Sequence, residues 1–366
     1  MHRVLVHMLA GLGFEDVLVR DDGAAALELL LAAGGSAPEL IFLDLNMPRM
    51  DGIEFLRRLV DQAYAGSVVL VSAEGPRLLQ MTEKLAQAHR LTVLGHLRKP
   101  VSLAALAGIM QKWQPASEAL SKSALYAPEA LQAALRGSEL VNYYQPKVAV
   151  AGASLVGVET LVRWQHPVDG LVSPERFVPV AEEHGLIGEL TRVVLAAALA
   201  QSAAWRRDGL ALGVAVNISA DNLRDAAFAD QVVEAAAAQG AIARDITLEI
   251  TESQLVLDQR VALEVLARLR LKRFRLAIDD FGTGHSSLLQ LRDIAFDELK
   301  VDQGFVHGAW RDPTTRAICE ASVGLGRELG IEVVAEGVED QDDWDFVRRS
   351  GCDLAQGHFI GPPMPA

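Results

Sequence analysis

Two adjacent carboxylates, Asp279 and Asp280, end a short apolar run at residues 276–278 and precede Gly282 and Gly284. The run predicts a buried strand, and α/β folds build active sites at the carboxyl ends of such strands. Neighbouring side chains in a strand point to opposite faces, but where the chain curls at the strand's end both can approach one pair of hard divalent cations. The alternative is a solvated turn, since Asp and Gly are common turn residues.

Six further apolar segments between residues 156 and 357 also end in polar residues, which argues against a simple turn. Seven such strand ends, separated by helical segments, predict the rim of a (β/α)8 TIM-like barrel. Oxygen donors are the ligands that hard divalent cations prefer. The polar side chains at the seven predicted strand ends are Glu159, Asn217, Glu249, Glu252, Asp279, Asp280, Lys300, Asp302, Glu336, Glu339 and Gln356.

The first part of the chain shows a second alternation of apolar strands and helices, which predicts a separate domain with a parallel sheet. A helix is predicted at residues 3–12 and a short strand at residues 17–19. Three further strands end at Asp44, at Ser72 and near Lys99, respectively. We expect a first domain at residues 1–114, a polar linker at residues 115–124 and the barrel at residues 125–366.

Composition and charge exclude several classes of protein. Of the 366 residues, 50% are hydrophobic and 22% are charged, as expected for globular domains. The net charge is −14, and residues 116–366 carry 23 basic and 36 acidic side chains, which disfavours nucleic acid as a partner. The two cysteines lack metal-ligand spacing, and no apolar run reaches membrane-spanning length. We therefore expect a cytoplasmic protein that contacts neither nucleic acid nor membrane.

The first domain resembles a response-regulator receiver domain, which has a flavodoxin-like fold. The resemblance rests on Asp44 within Leu-Asp-Leu-Asn-Met-Pro-Arg-Met-Asp-Gly, on Ser72 and on Lys99-Pro100. It implies that Asp44 accepts a phosphoryl group from a sensor histidine kinase and that Ser72 and Lys99 respond to it. The family's first strand and its Mg²⁺-binding acidic pair are missing before the helix at residues 3–12. We expect them upstream of Met1, and without them phosphorylation of Asp44 in this form is doubtful.

The second domain resembles the EAL family of cyclic-di-GMP phosphodiesterases over about residues 125–366. Eight motifs in order carry this resemblance. They are Tyr144-Gln-Pro-Lys, Glu159-Thr-Leu-Val-Arg-Trp, Val216-Asn-Ile-Ser, Glu249-Ile-Thr-Glu, Asp279-Asp-Phe-Gly-Thr-Gly, Lys300-Val-Asp, Glu336-Gly-Val-Glu and Gln356-Gly. The sequence departs from the family at Thr160, where alanine is usual, and at His285, where tyrosine is usual. It also stops before the family's last helix, so we expect weaker barrel closure.

The resemblance implies a metal-dependent hydrolysis of cyclic-di-GMP to linear pGpG, with a role for each matched residue. Two Mg²⁺ or Mn²⁺ ions about 3.5–4 Å apart would promote attack on the phosphodiester. Lys300, Asp280 and Glu336 are the expected catalytic residues, and Glu252 is expected to hold the loop at residues 280–287 near a dimer interface. The expected metal ligands are Glu159, Asn217, Glu249, Asp279, Asp280 and Glu336, and the expected substrate-binding residues are Gln145, Arg163, Asp302, Gln356 and Glu339.

Individual residues also have plain structural interpretations. Lys300 could be a rim lysine that extends into solvent, Arg163 could be an ion-pair partner of Glu159, and Glu252 could stabilise a helix N-terminus. Two other functions compete with the hydrolase: a catalytically silent cyclic-di-GMP receptor, and a Mg²⁺-dependent enolising barrel. The complete set of metal-ligand residues favours the hydrolase over the receptor, and the Asp-Asp-Phe-Gly loop disfavours the enolising enzyme.

Overall fold

A computed structural model describes most of the chain as two compact units, Met1–Ala124 and Leu125–Ala366. The predicted linker at residues 115–124 and His285 lie outside the described residues. The described residues are 2–14, 16–33, 37–62, 64–89, 91–111, 113, 125–252, 254, 259–283 and 288–366.

The first unit contains a parallel sheet of three strands, β1 (Leu40–Asp44), β2 (Ser67–Ser72) and β3 (Thr92–Arg98), in that order. Alternate side chains of β2 are buried in two separate apolar clusters, as expected for a parallel sheet covered on both faces. The helices of this unit are His2–Gly11, Gly23–Ala33, Gly52–Asp61, Pro76–Ala88 and Leu103–Met110.

The strand predicted at residues 17–19 does not form, and that prediction was wrong. A strand needs a neighbouring backbone to hydrogen-bond, and β1 is paired with β2 along only one of its edges within the described residues. In the flavodoxin-like order a central strand would separate residues 17–19 from β1. The described residues contain no such strand, so the apolar segment at residues 17–19 has no ladder to join.

The second unit is a closed barrel of eight strands, which confirms the predicted fold class. A short strand, β6 (Gly170–Val172), extends the sheet outside the barrel through β5. Despite the expectation of weaker closure, β12 pairs with β4, and Tyr144 also bridges to Met364. The barrel strands are β4 (Leu140–Ala149), β5 (Ser154–His166), β7 (Gly213–Asn217), β8 (Ile246–Thr251), β9 (Arg275–Phe281), β10 (Glu298–Val301), β11 (Glu332–Ala335) and β12 (Leu354–Gln356).

The barrel departs from a regular (β/α)8 barrel in its first strand. β4 runs antiparallel to both neighbours, β5 and β12, whereas the other neighbouring barrel strands are parallel. Only residues 150–153 separate β4 from β5, and so short a turn joins antiparallel strands. A parallel pair would need a crossover of a dozen or more residues.

Helices cover the outside of the barrel. Among the described residues, Ile187–Arg207 is the one helix with the length and apolar composition to span a membrane. It packs on β4 and β7 and buries Leu195, Ala198 and Leu199, as a helix of the core does. The α-helices of this unit are Pro128–Gly137, Val178–Glu183, Ile187–Arg207, Ala220–Arg224, Phe228–Gln239, Gln259–Leu271, Leu288–Asp293, Gln303–Val306, Pro313–Leu329 and Gln341–Ser350.

Candidate active site

Lys300 of β10 lies at the centre of the predicted carboxylates. Its side chain is 1% exposed, so it does not extend into solvent as a rim lysine would. Its Nζ lies 2.8 Å from Glu336 Oε1, 3.0 Å from Glu249 Oε2, 3.1 Å from Asp279 Oδ1 and 3.4 Å from Glu159 Oε2. Acids at the ends of four different strands therefore meet around one buried ammonium group.

A bulge in β9 brings Asp279 and Asp280 to the same place. Ile278 pairs with Leu299 and Phe281 with Val301, so β9 has one extra residue opposite Lys300. Asp280 has a φ of 55°, a left-handed conformation that aspartate tolerates better than most residues. As a result, carboxylate oxygens of Asp279, Asp280 and Glu336 lie within 4.8 Å of one another.

A second cluster shares Asp279 with the first. Oxygens of Glu159, Glu249 and Asp279 also lie within 4.8 Å of one another, and all three residues are buried. Asn217 donates from Nδ2 to Glu159 Oε1 at 3.0 Å, which leaves its own amide oxygen as a donor atom for a metal. The two clusters are therefore joined through a single carboxylate.

One oxygen of the second cluster lacks any partner. Glu249 is 0% exposed, and its Oε1 atom accepts no hydrogen bond, although its Oε2 atom contacts Lys300. Leaving a buried carboxylate oxygen unsatisfied is costly. A divalent cation would satisfy it, and the surrounding donors are all oxygens, as hard cations require. The residues present thus fit a metal centre.

Burial and crowding shift the pKa values of these acids in different directions. Burial, with the neighbouring Asp279 charge, raises the pKa of Asp280 to about 6. Burial also raises the pKa of Glu336 to about 8 despite the opposing charge of Lys300, and it raises the pKa of Glu249 well above its usual value. Burial opposes ionisation of Glu159 too, but Lys300 and two amide hydrogen bonds hold its pKa below the usual value.

Comparison with known proteins agrees with this geometry. The EAL domain family model matches residues 128–363, and the response regulator receiver domain model matches residues 1–111. The chain belongs to the EAL family. Its first domain is a receiver domain, and it is similar to the cyclic di-GMP phosphodiesterase RocR of Pseudomonas aeruginosa, which shares both domains. The two are 32% identical over 353 residues, covering 95% of this chain and 90% of RocR.

Other relatives match the EAL domain alone. The bifunctional diguanylate cyclase/cyclic di-GMP phosphodiesterase MucR of Pseudomonas aeruginosa is 41% identical over 237 residues, which cover 64% of this chain but 35% of MucR. A solved structure of the MucR phosphodiesterase in complex with c-di-GMP has a TM-score of 0.63 at 40% identity. The matched region covers 65% of this chain and 97% of the MucR chain in that structure. The EAL domain of Mycobacterium smegmatis DcpA is 31% identical with a TM-score of 0.54, and covers 62% of this chain and 93% of that one.

Two glutamines predicted to bind substrate lie beside the metal-ligand residues of the EAL domain. Gln356 donates from Nε2 to Glu159 Oε2 at 2.6 Å and to Gln145 Oε1 at 3.0 Å. Gln145 in turn donates to the Gly361 carbonyl at 3.2 Å. The Oε1 atom of Gln356 is buried and has no hydrogen-bond partner. Gln356 thus orients Glu159, a role that the sequence did not indicate.

The other predicted substrate-binding residues follow the acids or Lys300 along the chain. Arg163 shares the face of β5 that carries Glu159, but its recorded contacts are the Val162 carbonyl and the Tyr143 ring rather than Glu159. Asp302 caps the short helix Gln303–Val306 by accepting from Gly304 N at 2.9 Å.

Glu339 completes this predicted set. It is exposed and contacts His358 Nδ1 at 3.2 Å from each carboxylate oxygen. The structure therefore brings Gln145 and Gln356 together with Glu159, one of the predicted metal ligands. Arg163, Asp302 and Glu339 instead contact Tyr143, Gly304 and His358, respectively.

Glu252 lies where a loop anchor is expected. It is 1% exposed, and its Oε2 atom accepts from Gly282 N at 3.0 Å. Gly282 has a φ of 97°, and a side chain there would contact Phe305, so the position requires glycine. The described part of the predicted loop ends at Thr283, and residues 284–287 lie outside it.

The three predicted receiver residues also lie together in the first unit. Lys99 Nζ donates to Asp44 Oδ2 at 2.5 Å, and Lys99 N donates to the Ser72 carbonyl at 2.8 Å. Asp44 and Ser72 end the adjacent strands β1 and β2. Among the described residues, Asp44 belongs to none of the three-membered clusters of acids, histidines or cysteines that could hold a metal.

Sequence reasoning missed a second charged layer inside the barrel. Lys147 and Glu298 form an ion pair, and both are less than 5% exposed. Glu298 also accepts from Thr247 Oγ1 at 3.3 Å and lies 3.3 Å from Arg275. The signal was present in the Tyr-Gln-Pro-Lys motif, where a lysine occurs on a barrel strand.

Proposed function

We propose that this protein hydrolyses cyclic-di-GMP to linear pGpG with the help of divalent metal ions. The observation that carries the proposal is the pair of carboxylate clusters around Lys300, joined through Asp279 and containing the unsatisfied Glu249 Oε1. RocR is named a cyclic di-GMP phosphodiesterase, and the similar MucR domain was solved with c-di-GMP. The chain spans 35% and 29% of the first two curated relatives, but 90% of RocR.

The donor set supports two Mg²⁺ or Mn²⁺ ions. Glu159, Asn217, Glu249 and Asp279 would hold one ion, and Asp279, Asp280 and Glu336 the other. Ions at these positions supply Lewis-acid stabilisation of the phosphodiester and of the attacking oxygen. Their charge would also relieve the repulsion among carboxylates, which Lys300 and the more distant Lys147 offset in the described structure.

Lys300 provides the one fixed positive charge at the centre of the site. An ammonium group held among ionised acids can donate a hydrogen bond to the attacking water and stabilise charge that develops on the phosphoryl oxygens. Its four contacts hold it in place, so little reorganisation accompanies the reaction. Gln356 keeps Glu159 oriented toward the metal position through their 2.6 Å hydrogen bond.

The residues around the rim would bind the substrate. Arg163 carries a planar guanidinium that suits a phosphate oxygen pair, and the cation stacks on Tyr143 without an acidic partner among its recorded contacts. Asp302 and Glu339 offer carboxylates that can accept from a guanine edge, and Gln145 offers an amide beside Gln356.

Control by the receiver domain is part of the proposal. Asp44 would accept the phosphoryl group from a sensor histidine kinase, with Lys99 and Ser72 responding, and the loop anchored by Glu252 would transmit the signal across a homodimer. We place the protein in the cytoplasm. Acetyl phosphate with Mg²⁺, applied to the chain and to Asp44→Asn, tests this step. Incorporation of the phosphoryl group by the parent chain and not by Asp44→Asn would support this step.

The central test is direct. Purified protein is incubated with cyclic-di-GMP and Mg²⁺, and the products are separated by chromatography with Glu159→Ala as the control. Formation of pGpG by the parent protein alone supports the hydrolase. Tight binding of cyclic-di-GMP without any product would instead support the silent receptor, in which the same pocket binds but does not cleave.

A further inference from the structure

Asp343 is a fully buried carboxylate outside the two carboxylate clusters around Lys300, and it lies within 4.8 Å of potential ligand atoms of His307 and Asp340. It lies in the first turn of the helix Gln341–Ser350 and is 0% exposed. Its Oδ1 atom accepts from Gly308 N at 2.9 Å, and its Oδ2 atom accepts from Glu339 N at 3.2 Å and contacts His307 Nδ1 at 2.7 Å. Separating a buried carboxylate from the three groups that contact it would leave polar atoms buried without partners, which is costly.

The three partners belong to two segments that follow neighbouring barrel strands. His307 and Gly308 follow β10, the strand of Lys300, in the segment at residues 302–308. Glu339 follows β11 in the segment at residues 336–340. These segments begin with Asp302 and Glu336, respectively, so Asp343 joins two parts of the chain that carry site residues.

The two segments also touch each other directly. Gly337 has a φ of 64°, and a Cβ atom added there would lie 2.3 Å from Gln303 Cβ. The two segments are therefore in close contact at Gly337 and Gln303, so a shift of one segment toward the other would cause a steric clash.

We propose that Asp343 is a positioning residue that fixes both segments and thereby sets the placement of Asp302 and Glu339 for substrate binding. The second half of this statement rests on the proposed function. Asp343 touches neither Lys300 nor the metal-ligand residues in any recorded contact, so it acts through the segments that it joins.

The chemistry of the position explains why asparagine cannot replace it. Both oxygens of Asp343 accept hydrogen bonds from backbone N–H groups. Asparagine has one acceptor oxygen and turns a donor NH₂ toward the other N–H group. Asp343→Asn therefore leaves at least one buried N–H group unpaired with almost no change in side-chain volume.

Asp340 offers a matched control. It caps the same helix by accepting from Asp343 N at 2.9 Å, and although one of its oxygens lies within 4.8 Å of a His307 ring nitrogen, it accepts no hydrogen bond from Gly308 or Glu339. Asp340→Ala therefore weakens the helix start without removing the acceptors for Gly308 and Glu339. His307→Ala is a graded variant, because it removes one contact of Asp343 and leaves the two backbone bonds in place.

The experiment uses the full chain and two measurements. Hydrogen exchange is followed by mass spectrometry in peptides covering residues 303–309 and 337–342. Exchange in both peptides should be at least about tenfold faster in Asp343→Asn, with a smaller increase in His307→Ala. In Asp340→Ala the exchange at Gly308 should be unchanged. The KM for cyclic-di-GMP should rise by about tenfold in Asp343→Asn, with kcat changing far less.

The outcomes separate this proposal from the proposed function. Unchanged exchange in Asp343→Asn, or an equal KM increase in Asp340→Ala, would overturn the positioning role. Faster exchange without any change in KM would also overturn it, since loosening the two segments would then have no effect on substrate binding. If the parent protein does not hydrolyse cyclic-di-GMP at all, the proposed function fails, whereas the exchange measurement still tests whether Asp343 holds the two segments.

Discussion

The Nζ atom of Lys300 lies 3.0 Å from Glu249 Oε2, while the other oxygen of Glu249 has no partner. Both side chains are buried, so neither charge is relieved by water. Lys300 thus pairs with one oxygen of Glu249, and the other oxygen remains available within the cluster that Glu249 forms with Glu159 and Asp279. A divalent cation bound here would satisfy the free oxygen of Glu249 among acids that the fold has already brought together.

The shared position of Asp279 leads to a prediction about metal stoichiometry. Because Asp279 belongs to both carboxylate clusters, Asp279→Ala should lose both ions, whereas Asp280→Asn should lose one. Titration calorimetry with Mn²⁺ should therefore report two, one and no sites for the parent, Asp280→Asn and Asp279→Ala, respectively. Hydrolysis should fall by more than about 10³-fold in Asp279→Ala.

A distant acid provides the control for this prediction. Glu332→Gln removes an acid that pairs with Arg275 at the start of β11, away from the clusters, and should keep both ions and near-normal turnover. Near-normal hydrolysis by Asp279→Ala or by Glu159→Ala at ordinary Mg²⁺ would contradict the two-ion site.

Replacement of Lys300 should separate catalysis from binding. We expect Lys300→Ala to reduce kcat by roughly 10²–10³-fold, the usual cost of removing one charge-stabilising donor, and to keep both metal and substrate affinity. The metal-free variant should also melt earlier, since four acids lose the ammonium group that they contact, and Mg²⁺ should recover most of that loss. Kinetics and thermal melting with and without Mg²⁺ measure both effects. A fall in cyclic-di-GMP affinity proportional to the fall in rate would make Lys300 a binding residue.

The sequence predicted the barrel and the strand ends that carry the acids, but not the contacts that these acids make. The residue types at strand ends indicated the acids, because parallel strands bring their carboxyl ends to one side of a barrel. It did not show how Asp279 and Asp280 meet, since the bulge depends on the pairing of β9 with β10. The role of Gln356 was missed for the same reason: Glu159 lies 197 positions away in the chain.

Local pattern also failed where pairing decides the structure. Residues 17–19 have the apolar character of a strand but no ladder to join within the described residues. The antiparallel direction of β4 follows from the short turn before β5, and the motifs do not indicate it. Lys99 contacts Asp44, and only the resemblance to receiver domains pointed to a role for these two residues together.

Calcium should inhibit the enzyme. Ca²⁺ is larger than Mg²⁺ and accepts a looser, higher-coordinate oxygen shell, so it can bind these carboxylates while holding the reacting groups in the wrong geometry. We expect Ca²⁺ to compete with Mg²⁺ in hydrolysis assays and to raise the melting temperature on its own. Full activity with Ca²⁺ as the sole divalent ion would contradict this expectation.

The raised pKa values of Asp280 and Glu336 predict an unusual pH dependence of stability in the metal-free protein. Burial raises the pKa of Glu336 to about 8 and that of Asp280 to about 6, above the values of the unfolded chain. Between pH 5 and pH 8 the folded protein therefore holds protons that the unfolded chain has released. Since stability falls with rising pH wherever the folded state binds more protons, the melting temperature in EDTA should fall across this window.

Metal should reverse this trend, because binding displaces the same protons. Mn²⁺ affinity should therefore rise from pH 6 to pH 8, by up to about tenfold per pH unit for each proton released. Glu336→Gln removes one of these titrations and leaves Glu249, whose pKa burial also raises, so its melting temperature in EDTA should fall less steeply above about pH 7 than that of the parent. Thermal melts at half-unit pH intervals, with and without Mn²⁺, measure both trends. A metal-free melting temperature that rises from pH 6 to pH 8, or an unchanged profile in Glu336→Gln, would show that these acids are already ionised in the empty site.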